Sequence, residues 1–206
     1  MGLMPERPSP DLERMLTDVE WAMSKQFAAR DLVPMLENLV RAAPAASEAA
    51  YFAKLRLSEL IVGDAPFRAA RLARDVLTSG ESDRAWAVLG LAHSLLGHYR
   101  LAARSYRRAL ALAPDCGVYE HNLGHVLDVA LNRPRDALVH LARAHKNMPE
   151  EREVSSSYAH ALLRSGQPEK ARELLLCAVK GQAEADAILK TWQRAMGHSV
   201  PCEPGS

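Results

Sequence analysis

Aromatic residues, cysteines and net charge are all scarce in this sequence of 206 residues. Only 5% of the residues are Phe, Trp or Tyr, so Ala and Leu supply most of the apolar surface, which suits closely packed helices. The formal net charge is +1, so no overall field steers the chain toward nucleic acid or anionic lipid. Cys116, Cys177 and Cys202 are far apart and form no Cys-x-x-Cys pair, which favours reduced thiols over a disulfide framework or a zinc cluster.

Long apolar runs and targeting signals are also lacking. No stretch approaches the roughly 18 consecutive apolar residues of a membrane-spanning helix, so we expect no membrane insertion. The segment that begins Met-Gly-Leu-Met-Pro has no apolar core of the kind that a secretory signal needs. We therefore expect a cytoplasmic protein. The preference for Arg over Lys, together with the many Ala residues, indicates a GC-rich bacterial genome.

A spacing of small and apolar residues occurs three times in the second half of the chain. The three sets are Ala102, Tyr106 and Ala109; Ala137, Leu141 and Ala144; and Ala171, Leu175 and Ala178. The steps between the sets are 35 and 34 residues, and self-similarity at this period predicts a stacked array of helix pairs.

Apolar residues at helical spacing, divided by short breaks that carry Gly or Pro, predict helices along the whole chain and no convincing strand. Short breaks require antiparallel neighbours. The predicted fold is therefore all-α: an α-solenoid of stacked antiparallel helix pairs. We expect a disordered N-terminus at residues 1–8, one or two degenerate helix pairs at 9–82, three clear repeats at 83–180, a capping helix at 183–197 and a disordered tail at 198–206.

The first of these three repeats carries a family pattern. Its residues are Trp86, Leu89, Gly90, His93, Ala102, Tyr106, Ala109 and Pro114. On these residues the stretch 83–116 resembles a tetratricopeptide repeat, with His93 where Tyr is usual. Gly90 and Ala102 are expected where the two helices of a pair approach closely, so that larger side chains would force them apart.

The pattern weakens in the neighbouring copies. The second copy, from Gly117 to about Glu151, keeps Leu123 and Gly124 but has Glu120 in place of the Trp and one extra residue in the turn before Pro134. The third copy keeps Ala171, Leu175 and Ala178 but lacks the final Pro, and the offsets fade upstream of residue 83.

The resemblance implies a concave groove lined by the first helix of each repeat. We call these residues the predicted groove. They are Arg84, Ala87, Leu91, Ser94 and Leu95 in the first repeat; Val118, His121, Asn122, His125, Asp128 and Val129 in the second; and Glu153, Ser156, His160, Leu163 and Arg164 in the third. We interpret this polar, histidine-rich lining as a peptide-binding surface with Leu91, Leu95 and Val129 as its apolar floor. The alternative is a solvated, unused face.

Two sharper hypotheses concern the same lining. His121 and His125 are one helical turn apart, which is the spacing of paired metal ligands, and Asp128 and His160 could lie near them. The sequence has no HExxH motif, so we interpret them as groove histidines and expect no metal, with a pH-sensitive binding face as the alternative. Some members of the family clamp a partner's C-terminal carboxylate with Lys, Asn and Arg. Asn122 matches one such position, but Ala87 and Leu91 do not, so the clamp is incomplete.

Basic residues cluster on two predicted second helices, at Arg68, Arg71 and Arg74 and at Arg100, Arg104, Arg107 and Arg108. We interpret both stripes as solvated helix faces whose stems cover apolar surface. The alternative is an anionic partner on the convex side.

Stacking aromatics and nucleic-acid recognition motifs are lacking, so nucleic acid is not an expected partner. Trp21 and Trp192 are expected to be core or cap residues, and His93 to fill a packing position.

No Gly-rich phosphate loop, nucleophile elbow or catalytic carboxylate pair is present, so we expect a protein that is not an enzyme and uses no cofactor. The first hypothesis is an adaptor that binds a peptide or protein segment in the predicted groove. A secretion-type chaperone that holds an extended client is one alternative. A homo-oligomeric scaffold built by end-to-end stacking is another, although polar residues of the capping helix favour a terminated array: Glu184, Asp186, Lys190 and Arg194.

Overall fold

A computed structural model describes residues 10–179 and 181–197 of the chain. The expected disorder at residues 1–8 and 198–206 lies outside these residues, as does Cys202. Within them the chain is helical and contains no strand, so the predicted all-α fold class is confirmed. The helices are α1 Pro10–Ser24, α2 Ala29–Ala42, α3 Glu48–Ile61, α4 Pro66–Ser79, α5 Asp83–Leu95, α6 Tyr99–Leu112, α7 Gly117–His125, α8 Pro134–Asn147, α9 Arg152–Arg164, α10 Pro168–Ala178 and α11 Gln182–Gly197, with a π-helical segment at Val126–Ala130 between α7 and α8.

The chain forms two compact units. Met1–Ala113 holds α1 to α6, and Pro114–Ser206 holds α7 to α11. Within each unit every helix packs against the one that follows it, and the first helices of successive pairs also meet, α3 with α5 and α7 with α9. This is the arrangement that stacked helix pairs require, because one pair alone cannot bury its apolar stripe.

Local sequence signals explain where many helices begin. Ser47 and Ser82 stand just before α3 and α5, and their hydroxyl oxygens accept hydrogen bonds from the backbone N–H groups of Ala50 and Ala85. Pro66, Pro134 and Pro168 occupy the first positions of α4, α8 and α10, where a missing N–H leaves no bond unmade. Asp31 lies within the first turn of α2, where a negative charge is favourable.

Glycine permits close helix packing at two equivalent positions. A Cβ atom on Gly90 would lie 2.6 Å from the ring of Tyr106, and one on Gly124 would lie 2.5 Å from Cγ of Leu141. Gly90 therefore does mark a close approach, but the side chain that it accommodates is Tyr106 rather than Ala102. In both pairs a large residue of the second helix fills the space that the missing side chain leaves.

The extra residue of the second repeat lies in the helix rather than in the turn. Gly97, Asn132 and Gly166 occupy the same left-handed position after the first helix of each repeat, with φ of 75°, 53° and 81°. Gly97 follows Gly90 by seven residues, whereas Asn132 follows Gly124 by eight. The π-helical segment Val126–Ala130 takes up this one residue of difference. The expectation of a longer turn before Pro134 is therefore wrong.

Candidate protein-binding surface

In the second unit the predicted groove is carried by α7, the π-helical segment and α9. Val118, His125 and Val129 are exposed. A second group is half-buried: His121, Asn122, Ser156, His160 and Arg164. Asp128 and Leu163, which share one repeat position, are buried. That position points into the protein, so Asp128 can influence the surface only through the side chains that it binds.

Asp128 is the centre of a polar cluster that joins the π-helical segment to α9. His160 Nδ1 donates to Oδ2 of Asp128 over 2.6 Å, and Arg164 Nη1 donates to Oδ1 over 2.8 Å. Arg164 also donates to the backbone carbonyl of Asp128 and to the side-chain oxygen of Asn132. We call these four residues the Asp128 cluster. Its hydrogen bonds fix the His160 ring and the Arg164 guanidinium, so both groups are presented at the surface in one orientation.

A cavity of about 570 Å³ opens beside the Asp128 cluster. Val129 and Asn132 lie on one side, His160 and Arg164 on α9 line another, and three α11 residues complete it: Trp192, Ala195 and Met196. The rings of Trp192 and His160 are nearly perpendicular, with their centroids 5.1 Å apart. The cavity combines an apolar wall with a few fixed polar groups, which is the usual composition of a binding pocket.

The contribution of α11 to this cavity was missed from the sequence. Trp192 was expected only as a core or cap residue, and it does pack against the core of the last helices. Trp192 and Met196 are one helical turn apart, so they lie on the same face of α11. That spacing is the signal that could have linked the capping helix to the predicted groove.

His121 is held within the second unit by a residue that is not part of the predicted groove. Its Nε2 lies 3.0 Å from the hydroxyl of Ser157, the neighbour of Ser156 on α9. The ring of His125 lies 6.2 Å from that of His121. Burial lowers the pKa of His121; Glu153 opposes this change, and His125 adds to it. His121 is therefore a neutral hydrogen-bonding group near neutral pH.

The metal hypothesis has no geometric basis in the described residues. His121 bonds to Ser157, while His160 bonds to Asp128, so the four candidate ligands are divided between two places. No group of three or more His, Cys, Asp and Glu side chains among the described residues could hold a metal ion.

In the first unit the predicted groove has an ionic and an apolar part. Arg84 on α5 donates two hydrogen bonds to Glu59 on α3, at 2.7 and 2.6 Å, and Arg56 adds a third at 3.2 Å. Leu91 and Leu95, farther along α5, are exposed. The two leucines can therefore be reached from solvent.

The burial of one charged residue outside the predicted groove was not predicted from the sequence. Glu120 stands where the first repeat has Trp86, and only 2% of its side chain is exposed. His140 Nδ1 lies 2.5 Å from its Oε2, and Arg143 donates to Oε1 over 3.3 Å. The loss of the Trp in the second repeat is therefore accompanied by a buried ionic contact between α7 and α8.

Comparisons with known proteins agree with this architecture. Residues 83–116 and 128–191 match two family models that are both described as tetratricopeptide repeat. A crystal structure of MamA superposes with a TM-score of 0.65 at 17% identity, over 86% of this chain and 96% of that one. A structure of MamA from Desulfovibrio magneticus RS-1 gives 0.68 at 14% identity, over 94% and 100%. These likenesses show the fold.

One curated relative matches part of the chain. Protein FlbA of Caulobacter vibrioides is 31% identical over 107 residues, which are 52% of this chain and 18% of FlbA. No described helix is both long enough and apolar enough to cross a membrane.

Three observations lead to one family assignment: the repeat pattern, the packing of Gly90 and Gly124, and the two family matches. Residues 83–116 and 128–191 of this chain are assigned to the tetratricopeptide-repeat family.

Proposed function

We propose that this chain is a non-enzymatic interaction module that binds an extended segment of a partner protein along the predicted groove. Tetratricopeptide repeats are protein-interaction modules, and their extended surfaces are the usual binding sites. The observation that carries the proposal is the cavity beside the Asp128 cluster, because it joins a groove surface to a pocket large enough for a side chain.

The chemistry of the pocket favours a segment with an apolar anchor. Trp192, Met196 and Val129 offer apolar contact, while the guanidinium of Arg164 is already engaged with Asp128. Since the buried carboxylate compensates this positive charge, the pocket has little net attraction for a strongly charged segment. A large apolar side chain fits the pocket, and His125 lies on the exposed surface of the adjoining α7.

A pair of valines provides a test with a matched control. Val129 lines the pocket, and Val139 lies on α8 away from it, yet the two are exposed to 52% and 50%. Affinity capture from a lysate of the source organism, read by mass spectrometry, should recover the same partner with the wild type and Val139→Asp. Val129→Asp should lose that partner, because a carboxylate would have to be desolvated against the apolar anchor.

Thermal unfolding of both variants serves as the folding control, and both should melt close to the wild type because each valine is half exposed. Loss of the partner with both variants, or with neither, would contradict the assignment of the groove. The alternatives predict different recoveries: a second copy of this chain for the homo-oligomeric scaffold, and unfolded clients of one secretion system for the chaperone.

A further inference from the structure

A second cavity, of about 580 Å³, lies in the first unit between α4, α5 and α6. Its floor is apolar and consists of Leu77, Trp86, Leu89 and Leu101. Leu101 is 49% exposed, so this floor can be reached from solvent. We call this cavity and its rim the arginine groove.

Three arginines surround the floor. Arg74 comes from α4, and Arg104 and Arg108 come from α6, one helical turn apart. All three are exposed, and none forms an ion pair with any residue that the structure describes. By contrast, Arg68 on the same α4 pairs with Glu37 over 2.7 Å. Three uncompensated positive charges therefore gather around one apolar cleft.

The groups at the floor are either neutral or already bonded. Burial lowers the pKa of His93, and electrostatic repulsion from His98 and Arg74 lowers it further. Its Nδ1 lies 3.4 Å from the hydroxyl of Ser105. The indole N–H of Trp86 donates to Glu81 over 2.7 Å, and Glu81 does not line the cavity. The lining residues thus include no carboxylate.

The arginine groove is distinct from the predicted groove. On α5 it uses Trp86, Leu89 and His93, whereas the predicted groove uses Arg84, Leu91 and Leu95. At 3.6 residues per turn these two sets fall on opposite faces of the helix. A ligand of one surface therefore leaves the other free.

We propose that the arginine groove binds an acidic peptide segment of a partner protein, with a large apolar side chain on the floor and carboxylates at Arg74, Arg104 and Arg108. Charge complementarity selects the acidic residues, since a carboxylate can accept two hydrogen bonds from one guanidinium. The apolar floor favours a peptide over nucleic acid, because phosphates would gain nothing from contact with leucines. Trp86 is the one Trp, Tyr or Phe in the lining on which a base could stack.

The probe for the test is a peptide selected by binding to the chain itself. A random peptide library displayed on phage is panned against the full chain, and enriched peptides are synthesised with a fluorescent label for anisotropy titrations. We expect one enriched class to combine several Asp or Glu residues with a large apolar residue. Its affinity should fall when the salt concentration is raised, because charges on an open surface are screened.

Two pairs of variants identify the site. The charge reversal Arg104→Glu with Arg108→Glu should weaken this peptide class roughly tenfold or more. Reversal of Arg100 and Arg107, which are exposed on the same helix but do not line the cavity, removes the same charge and should change the affinity less than about twofold. Leu101→Ser should weaken binding, and Leu112→Ser, at a leucine exposed to 46%, should not.

Val129→Asp separates this site from the other proposal, because it should not affect acidic peptides that occupy the arginine groove. The inference is overturned if no acidic class is enriched, or if the class binds equally to both charge-reversed pairs. It is also overturned if a single-stranded DNA oligonucleotide displaces the peptide and binds with no dependence on Leu101.

Discussion

Two aspartates show how burial changes the contribution of a side-chain hydrogen bond to stability. Asp128 and Asp136 each accept a hydrogen bond of 2.6 Å from a nitrogen, from His160 and Arg133 respectively. Asp128 is 2% exposed and Asp136 is 52% exposed. Water already solvates Asp136, whereas Asp128 depends on its protein partners for all of its solvation.

Replacement of Asp128 by Ala should therefore lower the free energy of unfolding by about 3–5 kcal/mol, because Arg164 would lose its carboxylate and keep only neutral acceptors. The matched change Asp136→Ala should cost about 0–1 kcal/mol. Urea denaturation followed by circular dichroism measures both values. Equal losses for the two variants would show that the Asp128 cluster does not stabilise the second unit.

At the scale of the helices, the sequence predicts the fold well because helix pairing leaves a direct trace in it. Small residues at a period of 34 or 35 are the positions where helices meet, and Ala102, Ala137 and Ala171 are all fully buried as that reasoning requires. The capping serines and the prolines at first helical positions likewise affect only backbone groups within a few residues of themselves. Local and periodic constraints of this kind are readable without a structure.

The candidate site is less predictable because it depends on contacts between distant elements. The repeat register put Asp128 on the groove surface, but His160 and Arg164 on α9 hold it in the interior. The one-turn spacing of Trp192 and Met196 puts both on one face of α11, but it does not by itself show that this face lies beside the Asp128 cluster. The π-helical segment could not be located either, since one extra residue fits equally well in a turn or in a widened helix.

Gly124 tests the close packing that the register predicts. Gly124→Ala would gain about 1 kcal/mol in helix propensity, but its Cβ would overlap Leu141, and overpacking costs about 1–3 kcal/mol. We expect a net loss of up to about 2 kcal/mol by urea denaturation. Gly63→Ala is the control, because a Cβ there meets nothing within 4 Å and the variant should be neutral or slightly more stable.

A double-mutant cycle with Leu141→Ala gives the physical cause of that loss. If overlap is responsible, the double variant should be more stable than the sum of the two single changes predicts, because the smaller side chain admits the new methyl group. Strict additivity would mean that Gly124 is needed for some other reason than the volume of Leu141.

At the scale of the whole molecule, the last helix decides whether the array can continue. Two of its polar residues form salt bridges with earlier helices: Asp186 pairs with Arg172 over 2.8 Å, and Glu184, which remains exposed, pairs with Arg152 over 3.6 Å. These pairs join α11 to α10 and α9. The face of α11 that remains exposed carries polar and small residues and no large hydrophobic side chain: Gln182, Ala183, Glu184, Ala187, Lys190, Thr191, Gln193, Arg194 and Ala195.

Removal of α11 should therefore expose an apolar end on the second unit. A chain that stops after Val179 loses Leu189, which packs with Leu162 and Leu175 in one core cluster. The loss of a single buried leucine costs about 1.5–3 kcal/mol, so the melting temperature of the shortened chain should fall, and the uncovered leucines should drive concentration-dependent association.

Sedimentation velocity over a range of concentrations measures this association, and a chain that stops after Gly197 and keeps α11 is the control. A capping role for α11 requires the control to remain at the size of the intact chain. If both truncated chains associate equally, the growing end lies elsewhere, and end-to-end stacking through the first unit becomes the better account of any scaffold.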